Sequence, residues 1–170
     1  MRTFASVLLA ALGATLLASC TTTEPQPSAD PINPGETIGH YEVTTHEAGD
    51  VRYGWELDTE CVHREGKTVN TCELSVGAYV NVSVGVYDDS PSKTLDEIWS
   101  EQTYSMEIDG RPVELEEFGY TESVHPVVGA IRYWDVVITA SAPIEIVVSS
   151  NGTVNGDALV DTTTYVFSRP

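Results

Sequence analysis

Three observations predict an all-β fold, an antiparallel β sandwich of about 7–9 strands with one short helix. Apolar residues recur with a period of two through most of the chain beyond residue 38. Turn-forming residues punctuate it about every 8 to 12 residues. Only one segment carries helical signals. Residues 38–170 have the size of a single domain with one core, and the sequence shows no second linker and no internal repeat.

The elements follow in order. A first strand is predicted near residues 41–45. Val51, Tyr53, Trp55 and Leu57 then share one face while Arg52, Gly54, Glu56 and Asp58 share the other, which describes a strand with one buried side. Leu74, Val76, Ala78, Val80, Val82, Val84 and Val86 continue the alternation against Glu73, Ser75, Tyr79, Asn81, Ser83 and Tyr87. That run exceeds an ordinary strand, so Gly77 or Gly85 is expected to mark a bend, a bulge or a change of sheet. Thr94, followed three residues later by Glu97, forms a capping box, and Leu95, Ile98 and Trp99 fall at helical spacing. A helix of about two turns is predicted near 94–102, with Trp99 as its packing anchor rather than a ligand platform. Asp109-Gly110 separates residues 104–108 from 112–115 and is a two-residue hairpin signal. Pro112 at a strand start implies an edge. Further strands are expected at 103–108, 113–115, 131–140, 144–149 and 162–167.

The amino terminus is of a different kind. Arg2 supplies a positive charge, and residues 4–18 are uncharged, rich in Ala and Leu, and too short for the roughly 20 residues of a membrane-spanning helix. The run ends in Leu17-Ala18-Ser19-Cys20, which resembles the lipobox of bacterial lipoproteins. The resemblance implies that residues 1–19 are a signal peptide, that a diacylglyceryl group alkylates the Cys20 thiol, and that the chain is cut before Cys20 and acylated there. Two or more acyl chains give stable membrane attachment where one is marginal. Residues 20–37, with prolines at 25, 27, 31 and 34 and little to bury, read as a disordered, lipid-anchored linker. Extended at about 3.1 Å per residue, it would reach roughly 50 Å from the membrane.

The formal charge is −18, from 8 basic and 26 acidic residues, and removal of Arg2 with the signal peptide makes the excess larger. A polyanion needs clustered Lys and Arg to displace its counterions, so nucleic acid is excluded as a partner, and direct contact with anionic lipid is disfavoured. The acids are scattered rather than gathered in a tail, which describes a solvated, self-repelling surface suited to a saline exterior or to a cationic partner.

With Cys20 assigned to lipid, Cys61 and Cys72 remain, and an exported protein normally pairs two such thiols. Folding residues 61–72 as a hairpin about Gly66-Lys67 sets Cys61 opposite Cys72, with glycine where a type II′ turn requires it. The bridge would contribute about 2 to 3 kcal/mol in the chain-entropy model. A CxxC redox motif is missing, and Cys61, Cys72 and His63 are too few ligands for zinc.

A looser resemblance covers residues 95–168. Trp99, Ile108-Asp109-Gly110, Pro112-Val113-Glu114-Leu115, Phe118-Gly119, Arg132-Tyr133-Trp134-Asp135-Val136 and the closing Asp161-Thr162-Thr163-Thr164-Tyr165-Val166-Phe167-Ser168 are similar to extracellular immunoglobulin-like domains of bacterial lipoproteins. This implies an immunoglobulin-like sandwich and a cell-envelope location, with no activity attached. The antibody-type Cys-Trp-Cys spacing is not matched, because Cys61 and Cys72 lie too close in sequence to pin two sheets.

Catalytic patterns are missing, so no catalytic residue, cofactor or metal site is assigned. There is no Gly-x-Ser-x-Gly elbow, Ser-x-x-Lys pair or phosphate-cradling glycine loop. His46-Glu47 opens like a zinc-protease helix but reaches Asp50 where histidine is needed. His40, His46, His63 and His125 are dispersed. Acid pairs such as Asp58/Glu60 and Glu114/Glu116 are inevitable among 26 acids. Residues 150–157, with Asp161 beyond, offer oxygen ligands of the type calcium prefers, though an inter-strand hairpin explains them as well.

The sequence therefore leads to a membrane-anchored, extracytoplasmic lipoprotein with a non-catalytic recognition domain for a protein, peptide or carbohydrate. A structural or assembly subunit whose sheet edge pairs with another protein is the rival, and a hydrolase or calcium-binding module the least supported. Clustering of Tyr79, Tyr87, Tyr120 and Tyr133 on one exposed face would favour recognition, whereas their burial beside a long open edge would favour assembly. If Cys20 is the acylation site, Cys20→Ser leaves the protein uncleaved or soluble, and metabolic labelling with palmitate detects no label on it. Label at the wild-type level would overturn the lipobox reading.

Overall fold

The computed structural model describes residues 30–45, 51–53, 57, 61–63, 69–83, 85–87, 93–125, 129–154 and 157–169. Cys20, His46 and the Gly66-Lys67 turn lie outside them. Along the chain the strands are β1 (Glu36–Ile38), β2 (Tyr41–Thr44), β3 (Val51–Arg52), β4 (Cys61–His63), β5 (Val69–Ser75), β6 (Tyr79–Asn81) and β7 (Gly85–Tyr87). Helix α1 (Leu95–Glu101), β8 (Thr103–Ile108), β9 (Arg111–Pro112) and helix α2 (Leu115–Phe118) come next. They are followed by β10 (Tyr120–His125), β11 (Gly129–Trp134), β12 (Val137–Ala140), β13 (Ile144–Val154) and β14 (Asp157–Ser168).

The protein is an all-β sandwich. A five-stranded sheet, β1-β2-β12-β6-β3, faces a six-stranded sheet, β4-β5-β14-β13-β8-β9. Alternation supplies the inner faces. Tyr41, Val43, Val80, Ile138 and Ala140 from the first meet Leu74, Met106, Ile108, Ile146, Val148, Tyr165 and Phe167 from the second in one buried cluster. A third sheet, β10-β11-β7, prolongs the five-stranded one. The antiparallel pairs Val137↔Asn81 and Thr139↔Tyr79 continue as Tyr133↔Gly85 and Ile131↔Tyr87 with no residue inserted on either side. At the break, Val82 N–H donates to the Val136 carbonyl (2.9 Å) and the buried Asn81 amide donates to the Trp134 carbonyl (3.2 Å). Residues 131–140, expected as one strand, are therefore two strands in two sheets but keep a single register.

The long valine run is divided as the glycines suggested. Gly77, at φ +88°, turns the chain from the six-stranded to the five-stranded sheet and donates its N–H to the Ala140 carbonyl. Gly85 has a different role, since a Cβ there would collide with the Arg132 backbone.

Other expectations need correction. The strands number fourteen among the described residues, with two helices, because sheet changes cut long alternating segments into short ones. The sandwich is mixed, since β5 runs parallel to β14 and β3 parallel to β6. The strand expected at 113–115 ends at Pro112. Val113 instead bridges Ile32, and Leu115 opens α2, burying Leu115 and Phe118. The linker expected over 20–37 does not extend that far. Ile32 is fully buried, β1 pairs with β2, and Arg111 binds both the Glu36 carboxylate (2.8 Å) and the Asp30 carbonyl (2.9 Å). One apolar side chain in a proline-rich stretch suffices to draw that stretch into the core. Residues 150–154 and 157–161, considered for calcium, are paired strand residues of β13 and β14.

Two local expectations are met by the backbone itself. The capping box at Thr94/Glu97 starts α1. Asp109 and Gly110, at φ +50° and +75°, join Ile108↔Arg111 in a two-residue hairpin of type I′ sense. Asp109 adds a tie by accepting the Val147 N–H (2.9 Å). Gly110→Val puts a β-branched residue at positive φ and is expected to cost more than about 1 kcal/mol. Denaturant melts measure it, and an unchanged midpoint with an unchanged slope would show that this turn does not set the hairpin register.

Candidate binding face

The most organised group of side chains lies where α1 covers the three-stranded sheet. The Thr94 hydroxyl accepts the Glu97 N–H (3.3 Å), while the Glu97 carboxylate accepts the Thr94 N–H (2.7 Å), which holds the Glu97 carboxyl below its usual range. The helix so fixed buries Ile98 and presents Asp96 and Trp99 to the sheet, three residues apart on one helical face. Opposite them, the period-two alternation and the pairs Tyr120↔Trp134 and Glu122↔Arg132 place Tyr120, Glu122, Arg132 and Trp134 on one face.

Arg132 is at the centre and only 8% exposed. Its Nε donates to Glu122 Oε1 (2.8 Å), and its Nη2 donates to Asp96 Oδ1 (2.6 Å) and also to Glu122. Burial opposes the guanidinium charge, but the hydrogen bonds it donates to Asp96 and Glu122, with the charges of those carboxylates, outweigh it and hold the pKa above the ordinary arginine value. The guanidinium carbon lies 4.8 Å from the Tyr120 ring centre and 5.5 Å from that of Trp99. The rings form a chain: Tyr104 stacks on Trp134 at 4.9 Å, Trp134 meets Trp99 at 4.6 Å, and Trp99 meets Tyr120 at 5.3 Å. The chain runs from a half-buried Tyr104 through the enclosed Trp134 to an open end, where Tyr120 is 56% exposed.

The tyrosines named from sequence do not gather on one exposed face, so the clustering that would have favoured recognition is not found among them, nor are they all buried beside an open edge. Tyr120 and Tyr87 lie on opposite faces of the three-stranded sheet, Tyr133 is buried with Tyr53 set edge-on at 5.4 Å, and Tyr79 sits half-buried in the five-stranded sheet. Trp99 is a packing anchor as expected, and through Tyr120 it also supports an exposed ring. The Asp96–Arg132–Glu122 clamp was missed from sequence. Its trace is there in Asp96-x-x-Trp99 at helical spacing and in Tyr120-x-Glu122 and Arg132-x-Trp134 at strand spacing, but nothing local shows that the three segments converge.

Cys61 and Cys72 are joined, opposite each other in an antiparallel pair with Cα atoms 4.0 Å apart, as the hairpin reading required. The bond borders a cavity of about 160 Å³ between the sheets, lined by polar groups that include Asn70, Ser150, Asp161 and Tyr165. Asp161 accepts from Asn70 (3.4 Å) and Thr163 (3.3 Å), while Tyr104 donates to Ser150 (2.8 Å). Burial, with Asp161 and Tyr104 nearby, pushes the Tyr165 hydroxyl up, so it stays neutral. Among the described residues no three His, Cys, Asp or Glu side chains gather as metal ligands. Glu114 and Glu116 are exposed around the start of α2, and the pair Asp58/Glu60 lies outside the described residues.

No protein-family model matches the chain, and no curated protein matches it. Among solved structures, a cysteine protease inhibitor from Entamoeba histolytica is similar over 69% of this chain and 94% of its own, at 12% identity and a TM-score of 0.35. A likeness of that degree carries no conclusion about function.

Arg132→Lys keeps the positive charge but gives up the planar fork and the stacking on Tyr120 and Trp99. The expected loss is about 1 to 2 kcal/mol, read from the denaturant midpoint at constant slope. A wild-type midpoint would show that the clamp does not hold α1 to the sheet.

Proposed function

We propose that this chain is a lipid-anchored, extracytoplasmic protein of the cell envelope whose β sandwich recognises a partner without chemistry of its own. The anchor rests on Leu17-Ala18-Ser19-Cys20 and the apolar run before it. Recognition rests on one observation: Tyr120 is more than half exposed, yet its ring is held by Trp99 and by the clamped Arg132 guanidinium. A surface aromatic already fixed in place loses little conformational entropy when a ligand covers it. Tyr, Trp and Arg are also the residues that dominate binding energy at interfaces. The partner is a protein, a peptide or a carbohydrate, and the acidic excess directs it toward cationic or uncharged chemistry.

The test compares wild type with Tyr120→Ala on glycan arrays and displayed peptide libraries. Removal of a half-exposed ring leaves the core intact, so the fold should persist while binding falls by about tenfold or more. Ligands bound equally by both proteins would overturn the reading.

A further inference from the structure

We propose that the free edge of β10 receives an extended, cationic segment of another protein as an added antiparallel strand. The inference rests on the recognition reading and specifies its partner. Among the described residues β10 pairs only with β11, so it forms the edge of its sheet over six residues. Asp135 N–H donates to the Gly119 carbonyl (3.2 Å), which makes that pair an inward-bonded one. The alternation of an antiparallel ladder then turns the backbone N–H and C=O of Tyr120, Glu122 and Val124 away from β11. Their side chains are also the exposed ones, with Tyr120 at 56% and Val124 at 82%. Such a row of unpaired groups on an uncovered edge is a template for strand addition.

The side chains define what fits. A residue opposite Tyr120 stacks on a ring already fixed, and one opposite Val124 covers an exposed apolar group. Between them stands Glu122, which uses Oε1 for Arg132 and whose side chain is 54% exposed, with the Asp96 side chain 82% exposed nearby. A Lys or Arg there, flanked two residues away on each side by apolar or aromatic residues, matches the edge. A second copy of the chain does not. Antiparallel pairing of two β10 strands through their outward groups, with Tyr120 opposite Val124, sets Glu122 against Glu122, and each chain carries a formal charge of −18.

Short random peptides are selected on the full-length chain in detergent micelles, and the enriched peptides are titrated against wild type and variants. The expected peptides carry a basic residue between apolar ones at alternate positions. Val124→Pro removes an outward amide without breaking the ladder to β11, and Val124→Lys adds a like charge at the edge. Each should weaken binding about tenfold, while Tyr87→Ala on the opposite face has no effect. Circular dichroism confirms that each variant is folded, and Val124→Lys decides if Val124→Pro is not. Binding indifferent to the Val124 variants, or peptides without the basic residue, would overturn strand addition. If Tyr120→Ala alone abolishes binding, recognition stands and strand addition falls. If no variant matters, both fall. A dimer dispersed by Val124→Lys would identify a second copy as the occupant and overturn the cationic partner.

Discussion

Everything in this fold depends on keeping one apolar face per strand inside while the chain repeatedly changes sheet. The layer between the five- and six-stranded sheets holds Val43, Val80, Ile138, Ile108, Ile146 and Phe167, all essentially without solvent contact. A slip of one residue in any strand would turn its inner set outward. The corners are therefore built without inserted residues. At the break between β6 and β7, and between β11 and β12, three residues on each strand separate the paired blocks, an equal number on the two sides, so inside stays inside across the bend. The gap in the ladder is filled by Asn81. Its amide donates to the Trp134 carbonyl and its Oδ1 accepts from the Ser83 N–H (3.1 Å) and hydroxyl (2.9 Å). A buried amide with these bonds replaces the lost ladder contacts, whereas an unsatisfied one would cost about 1 to 3 kcal/mol.

Charge is distributed by a related rule. The chain has few cations, and the two arginines seen in ion pairs, Arg111 and Arg132, connect elements distant in sequence. Arg111 ties the N-terminal segment to β9 through Glu36, whose carboxyl it holds below the usual range, and Arg132 ties α1 to β11. Lys93 closes on Glu101 along the helix it precedes. Glu36 and Asp96 are both partly or largely exposed, so each Coulombic gain is screened and modest. What the pairs add is geometry, since the planar arginine fork fixes orientation where an ammonium would not. Most of the other described acids, among them Glu42, Glu73, Glu107, Glu114, Glu116, Glu117 and Glu145, are exposed and keep like molecules apart, whereas Asp135 is buried and Asp161 lines the cavity between the sheets.

Local chemistry made several elements legible in the sequence. The capping box at Thr94/Glu97, the Asp109-Gly110 turn and the Cys61–Cys72 hairpin register are decided by residues within a few positions of one another, and each is found as read. The alternation that identified the strands also identified their buried faces, as in Leu74, Val80, Val82 and Val86. Misreadings arose where one distant contact overruled local composition. Ile32 belongs to a proline-rich stretch with nothing else to bury, yet Val113 and the core claim it.

The sequence by itself determined the fold class, the inner faces, the turns and caps, and the expectation of a lipid at Cys20, because period-two alternation and short motifs act within a few residues. Only the tertiary structure decided the partition into three sheets, the parallel pairs β5–β14 and β3–β6, and the convergence of Asp96, Trp99, Tyr120, Glu122 and Arg132. Strand order and the meeting of a helix with a sheet depend on contacts between residues far apart in the chain, and no local period records which strand will lie beside which.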